Sequence, residues 1–193
     1  EVLNGVKTLL TTEPPASRVW VFLVSTDSFG AVSPVVRGYT PPSQGVFAYK
    51  LNQARRQLSE AFETKAVGFS PNSSGTDIIG GLWRAKIALE SDPALARVPK
   101  DIYILSDGIN DTANFNMSVL AASGAANMLS EARAKGLLVP LGPCYRIHFY
   151  AAATTHLSPQ TWNTVRTFWL LYLRASGAEL VIYSPETTIS RVK

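Results

Sequence analysis

The sequence predicts an α/β fold, a three-layer sandwich with a mostly parallel central sheet and helices on both faces. Three observations lead there. Residues 102–105 (Ile-Tyr-Ile-Leu) are a short apolar run without helical periodicity, bracketed by Pro99 and Gly108, which suits a strand buried on both faces. Strand-like runs alternate with amphipathic helical stretches along the chain, the order expected of a parallel sheet. Polar clusters follow the apolar runs, at the sheet edge where open α/β folds bind ligands.

Taken in order, Val2, Leu3, Val6, Leu9 and Leu10 recur at helical spacing, so residues 1–11 read as a helix or the end of one. Glu13-Pro14-Pro15 stops it. Residues 18–25 are the strongest strand, ending in the polar cluster Thr26-Asp27-Ser28-Phe29-Gly30. A Pro- and Gly-rich loop over 31–46 holds a short edge strand at 35–39. Residues 48–65 carry Leu51, Ala54, Leu58, Ala61 and Phe62 at spacings that predict an amphipathic helix. The loop 70–82 runs into a helix with Thr76 or Asp77 at its N-cap and Ile78, Ile79, Leu82, Ile87 and Leu89 facing inward.

After the 102–105 strand, residues 118–135 are expected to form one Ala-rich helix ending at Gly136. Stretches 137–141 and 146–152 read as extended. Ser158-Pro159 starts a helix reaching about residue 176, with an aromatic stripe of Trp162, Phe168, Trp169 and Tyr172. That stripe is core contact against the sheet, or else Trp169 and Tyr172 form an exposed partner surface. Residues 180–183 are a last strand. The domain is expected to cover 1–186, with 187–193 as a polar tail.

With 193 residues, 46% apolar and 17% charged, the chain is long enough for one globular domain with a real core. Its net charge of +4 comes from 18 scattered basic residues rather than a basic stripe, which argues against nucleic acid. No run approaches the ~20 apolar residues of a membrane span. The single cysteine, Cys144, forms no internal disulfide and reads as packing. His148, inside an alternating strand, reads as a satisfied interior or edge residue rather than a ligand, and His156 as a loop residue beside Thr154 and Thr155.

Two polar clusters carry the chemistry. Ser106-Asp107-Gly108, followed by Asn110 and Asp111, crowds oxygen ligands onto a strand's end; alone it reads equally as a polar turn. Gly75-Thr76-Asp77 opens a helix, and the capping role alone accounts for most such threonines. Gly75 to Gly80 has the spacing of a phosphate loop but lacks its Lys and Ser/Thr. No Gly-x-Ser-x-Gly elbow or His-rich metal motif points to an enzyme. A hydrolytic α/β enzyme is the expectation from that other class, which turnover of esterase or phosphatase substrates would reveal.

Taken together, Gly75-Thr76-Asp77, the helix it opens, and an apolar strand ending in Ser106-Asp107-Gly108 resemble the von Willebrand factor A family, of bacterial type. The resemblance spans about residues 1–186. It implies a protein-binding module with a metal-ion-dependent adhesion site that holds Mg²⁺ or Mn²⁺. In that family an Asp-x-Ser-x-Ser loop, a Thr in a Gly-Thr-Asp loop and an Asp in a Ser-Asp-Gly turn supply oxygens, and a partner carboxylate completes the shell. Thr76 takes the second role and Asp107 the third, with Asp77 and Ser106 orienting them from behind.

The first motif departs from the pattern. Ser25-Thr26-Asp27-Ser28-Phe29 puts Ser where Asp belongs and Phe where Ser belongs. Element order places residues 18–25 as the second strand, so the first strand and its Asp-x-Ser-x-Ser are expected upstream of Glu1. Asp27 and Ser28 then lie on the rim, and another strand or chain is expected to complete the sheet. The resemblance points towards an extracytoplasmic, periplasmic or secreted location. The alternative is a structural domain of a larger assembly whose metal site is vestigial.

Overall fold

A computed structural model describes residues 2–29, 33–42, 48–68, 75–151, 157–186 and 189. Among the described residues the fold is mixed α/β, with six α-helices, a three-stranded parallel sheet and a small antiparallel sheet. Two compact units divide the chain: residues 1–23, 32–72 and 188–193 in one, 24–31 and 73–187 in the other.

The first unit contains α1 (Val2–Thr11), β1 (Arg18–Val21), β2 (Val36–Tyr39) and α2 (Ala48–Ala66). Strands β1 and β2 pair antiparallel, Arg18 opposite Tyr39 and Val21 opposite Val36. Strand β1 ends at Val21 rather than at residue 25, because its pairing stops where β2 begins. Leu10, Val19, Val36, Leu58 and Phe62 form the unit's core. The connection after α1 is fixed by Thr40, whose hydroxyl donates to the Pro14 carbonyl at 2.6 Å and accepts from the Ser17 amide at 2.9 Å.

The second unit runs α3 (Ile78–Glu90), β3 (Lys100–Leu105), α4 (Met117–Leu120), α5 (Ala125–Ala134), β4 (Tyr145–Tyr150), α6 (Pro159–Ala175) and β5 (Glu179–Tyr183). Strands β3, β4 and β5 lie side by side in chain order, all parallel. Tyr145, Ile147 and Phe149 of β4 alternate into a core shared with Ile78, Ile79 and Leu82 of α3 and with Met128 and Ala132 of α5. The α6 stripe of Val165, Phe168, Trp169, Tyr172 and Leu173 is fully buried there. Each such side chain contributes roughly 1.5–3 kcal/mol by leaving water. Trp169 and Tyr172 are therefore interior residues and not a partner surface.

Several expectations are corrected. Strand β3 is only half buried: Ile104 is buried, whereas Asp101 is exposed and Tyr103 intermediate. Ile87 is 55% exposed, because five residues beyond Leu82 a 3.6-residue helix has turned to its far side. The 118–135 helix is two, α4 and α5, separated by a 3₁₀ turn over Ala121–Ser123 and by Gly124 at φ +87. Residues 137–141 form no strand, since α6 takes their backbone groups instead. The Tyr172 hydroxyl donates to the Leu137 carbonyl and accepts from the Val139 amide, and the Leu141 amide donates to the Ser176 carbonyl. Thr154, Thr155 and His156 lie outside the described residues, as do residues 187–188 and 190–193 of the expected tail.

The β3–β4 face opposite the core is polar. The buried His148 Nε2 bonds Asp101 Oδ1 at 2.8 Å, Arg146 pairs with Asp101 Oδ2, and Tyr103 stacks on the His148 ring at 4.5 Å. His148 Nδ1 is buried and, among the described residues, has no partner. Burial pushes the Asp101 carboxyl up, but the hydrogen bonds from His148 and Arg146 and the Arg146 charge outweigh it, so its pKa lies below the ordinary value. A carboxyl depressed in the fold contributes stability above its unfolded pKa and loses it as pH falls through the folded value. Asp101→Asn is thus expected to be less stable than wild type at about pH 5, with the gap narrowing towards about pH 2.5 in urea titrations. A gap that does not change with pH would contradict this.

Candidate metal centre at the carboxyl edge of the parallel sheet

The site is built where α3 begins and β3 ends. The first amides of a helix lack intrahelical acceptors. Asp77 caps α3, its Oδ1 accepting from the Gly80 amide at 2.8 Å. The Ile79 amide donates to Asn110 Oδ1 at 2.9 Å, an acceptor from the loop after β3. Asn110 is buried, its Nδ2 donates to the Phe115 carbonyl, and its carbonyl accepts from the Met117 amide.

The same two segments are joined by backbone. The Thr76 amide donates to the Asp111 carbonyl at 2.9 Å, and the Asp111 amide to the Thr76 carbonyl at 2.7 Å. Thr76 is thereby held against the loop that carries Asp107. Asp107 is exposed; its Oδ1 accepts from the Ile109 amide at 2.9 Å and from the Ser106 hydroxyl at 3.2 Å. Ser106 Oγ also accepts from the Gly108 amide at 3.3 Å. Asp107 Oδ2 and the Thr76 hydroxyl have no partner among the described residues.

Gly108 has φ +82, and a Cβ there would collide with the Tyr183 hydroxyl. Its carbonyl accepts from the buried Trp169 Nε1 at 2.7 Å. Burial raises the Tyr183 pKa, the Asp107 charge adding to the shift and Arg166 opposing it, so the phenol stays neutral.

Ser28 is not on a rim. It is fully buried, and its amide donates to Asp77 Oδ2 at 2.9 Å. The Asp77 amide in turn donates to the Ser25 carbonyl at 2.7 Å. Residues 25–28 are thus tied to the start of α3, with the Asp27 side chain exposed. Both Asp77 oxygens are occupied, so this buried carboxylate is a clamp between two loops. Trp169, read from the sequence only as part of an aromatic stripe, is a site-building residue, and Asn110, read there as one of the oxygen ligands of the turn, instead spends its Oδ1 on the Ile79 amide. An Asn beside a strand end and a Trp in an apolar stripe carry no local mark of contacts so far along the chain.

Among the described residues no three His, Cys, Asp or Glu side chains converge as a metal cage. The Thr76 hydroxyl, Asp107 Oδ2 and Asp111 Oδ2, whose other oxygen accepts from Asn116, are hard donors of the kind that Mg²⁺ accepts while keeping several waters. No helix among the described residues is long and apolar enough to cross a membrane. In comparisons with known proteins, the chain matches no family model, no curated protein and no solved structure.

Asp77→Ala removes the cap of α3 and orphans the buried Ser28 amide, at an expected cost of about 1–3 kcal/mol in urea unfolding. Asp77→Asn, which keeps an acceptor, should cost less. Equal stability of Asp77→Ala and wild type would remove Asp77 from the clamp.

Proposed function

We propose that the chain is a binding module of von Willebrand factor A type, which recognises a protein partner through a divalent cation at the carboxyl edge of its sheet. The observation that carries this reading is the pairing of Thr76 with the loop after β3, in which the Thr76 hydroxyl and Asp107 Oδ2 have no partner among the described residues. The fold that belongs to the proposal is the three-layer sandwich with helices on both faces of a mostly parallel sheet.

Thr76 and Asp107 would hold Mg²⁺ or Mn²⁺, directly or through water, with Ser106 steadying the Asp107 carboxylate and Asp77 steadying the loop beneath Thr76. The bound cation supplies positive charge and an exchangeable oxygen position, which a partner carboxylate can fill. The small donor set favours a second reading, a structural domain of a larger assembly with a vestigial site.

Asp107→Ala separates the two readings. Under the first, calorimetric titration with Mg²⁺ shows binding to wild type and none to the variant, while unfolding free energies agree within about 1 kcal/mol. Equal Mg²⁺ affinity in both proteins would reject the assignment, and no Mg²⁺ bound by either would favour the structural domain.

A further inference from the structure

The indole of Trp169 is tied to the Asp107 carboxylate through one peptide group. The Trp169 Nε1–H donates to the Gly108 carbonyl at 2.7 Å. That carbonyl and the Ile109 amide belong to the same planar unit and point in opposite directions. The Ile109 N–H, on the opposite edge of the same plane, donates to Asp107 Oδ1 at 2.9 Å. Rotation of the plane would break both bonds together.

Rotation is a real alternative at this position. Gly108 sits at φ +82, and glycine, lacking a Cβ, also populates other regions at small cost. Without the Trp169 donor on its carbonyl, the Gly108–Ile109 peptide could turn its N–H away from the carboxylate. The lock is rigid, because Trp169 has no exposed surface and its ring packs against Phe149 at 4.9 Å and Phe168 at 5.2 Å. Ser106 gives the carboxylate only a longer bond at 3.2 Å. The Tyr183 hydroxyl approaches the Asp107 carbonyl at 3.5 Å and bears on the turn from the opposite strand.

We propose that Trp169 is the positioning residue of the cation site: by fixing the Gly108–Ile109 peptide it directs Asp107 Oδ1 inward and leaves Oδ2 facing outward for the cation. This rests on the metal-binding reading above. Trp169 touches neither cation nor partner; it acts through the peptide plane. Helix α6 thereby reports on the turn, since its burial against the sheet and the orientation of the carboxylate share one hydrogen bond.

The test uses the full chain, Mn²⁺ alone as probe, and three proteins. Trp169→Phe deletes the N–H and keeps an aromatic ring. Tyr172→Phe, on the same buried helix, deletes a hydroxyl bonded to Leu137 and Val139 and leaves the turn untouched. If Trp169→Phe does not fold, Trp169→benzothienylalanine keeps the full bicyclic shape and lacks only the N–H. Two quantities are read on folded samples: Mn²⁺ affinity by calorimetry, and hydrogen exchange of the Ile109 amide by NMR.

Expected are an affinity about tenfold weaker and a faster Ile109 exchange in the Trp169 variant, with Tyr172→Phe matching wild type in both. A merely structural role of Trp169 would lower the melting temperature of both variants and leave Mn²⁺ affinity unchanged; that result overturns the proposal, as does unchanged Ile109 exchange. Failure of the metal reading itself looks different: wild type then binds no Mn²⁺, which overturns the cation-positioning role, while the exchange difference alone reports the Trp169–peptide link.

Discussion

The second unit depends on one non-local cross-link, the pair of backbone hydrogen bonds between Thr76 and Asp111. It fastens the entry of α3 to the exit of β3, and Asn110 doubles it by accepting from Ile79. A helix start carries unpaired amides and a strand end carries unpaired backbone; each here completes the other. The arrangement leaves little freedom. With Asp77, Asn110, Ser106 and the peptides around them bonded, the Thr76 hydroxyl and one oxygen of Asp107 are among the donors left over in the described residues. The chemistry of the site is what remains after the architecture has taken its share.

The apolar core supplies the rigidity that such a site requires. Groups that must hold a cation are useful only if their supports are fixed. The α6 stripe is buried against β4 and joins the core that contains the first turn of α3, so the loops at the sheet edge stand on packed elements. Trp169 has two duties in that stripe, as a large apolar side chain and as a hydrogen-bond donor to Gly108. On the other face of β3 and β4 the cluster of Asp101, Arg146 and His148 is polar, which makes the parallel sheet two-sided in character. The first unit is held by its own small core around Leu10, Leu58 and Phe62.

Much of this was legible from periodicity and capping chemistry. Ser158-Pro159 announced α6, Thr76-Asp77 announced α3, where Asp77 is the one that caps, and the spacing of Leu51, Leu58 and Phe62 announced α2 to within a residue of its ends. What was illegible was non-local. Residues 137–141 look extended, but α6 binds their backbone, and nothing in that stretch encodes Tyr172. Residues 102–105 look doubly buried, yet Tyr103 meets His148 of the neighbouring strand rather than an apolar layer. Ser28 looked peripheral because its partner, Asp77, lies far along the chain. Thr76 and Asp107 could be picked out by their short motifs, whereas the bridge that brings their loops together runs through backbone atoms, which every residue possesses.

The central claim is that the loops bearing Thr76 and Asp107 form a single cation-binding edge. Paramagnetic broadening by Mn²⁺ in an amide NMR spectrum tests it most directly. Substoichiometric Mn²⁺ should erase the signals of Thr76, Asp107 and Gly108 first and together, leaving those of Lys100 and Tyr145, at the opposite end of the parallel strands β3 and β4, sharper. Broadening centred elsewhere, or at only one of the two loops, would contradict the claim.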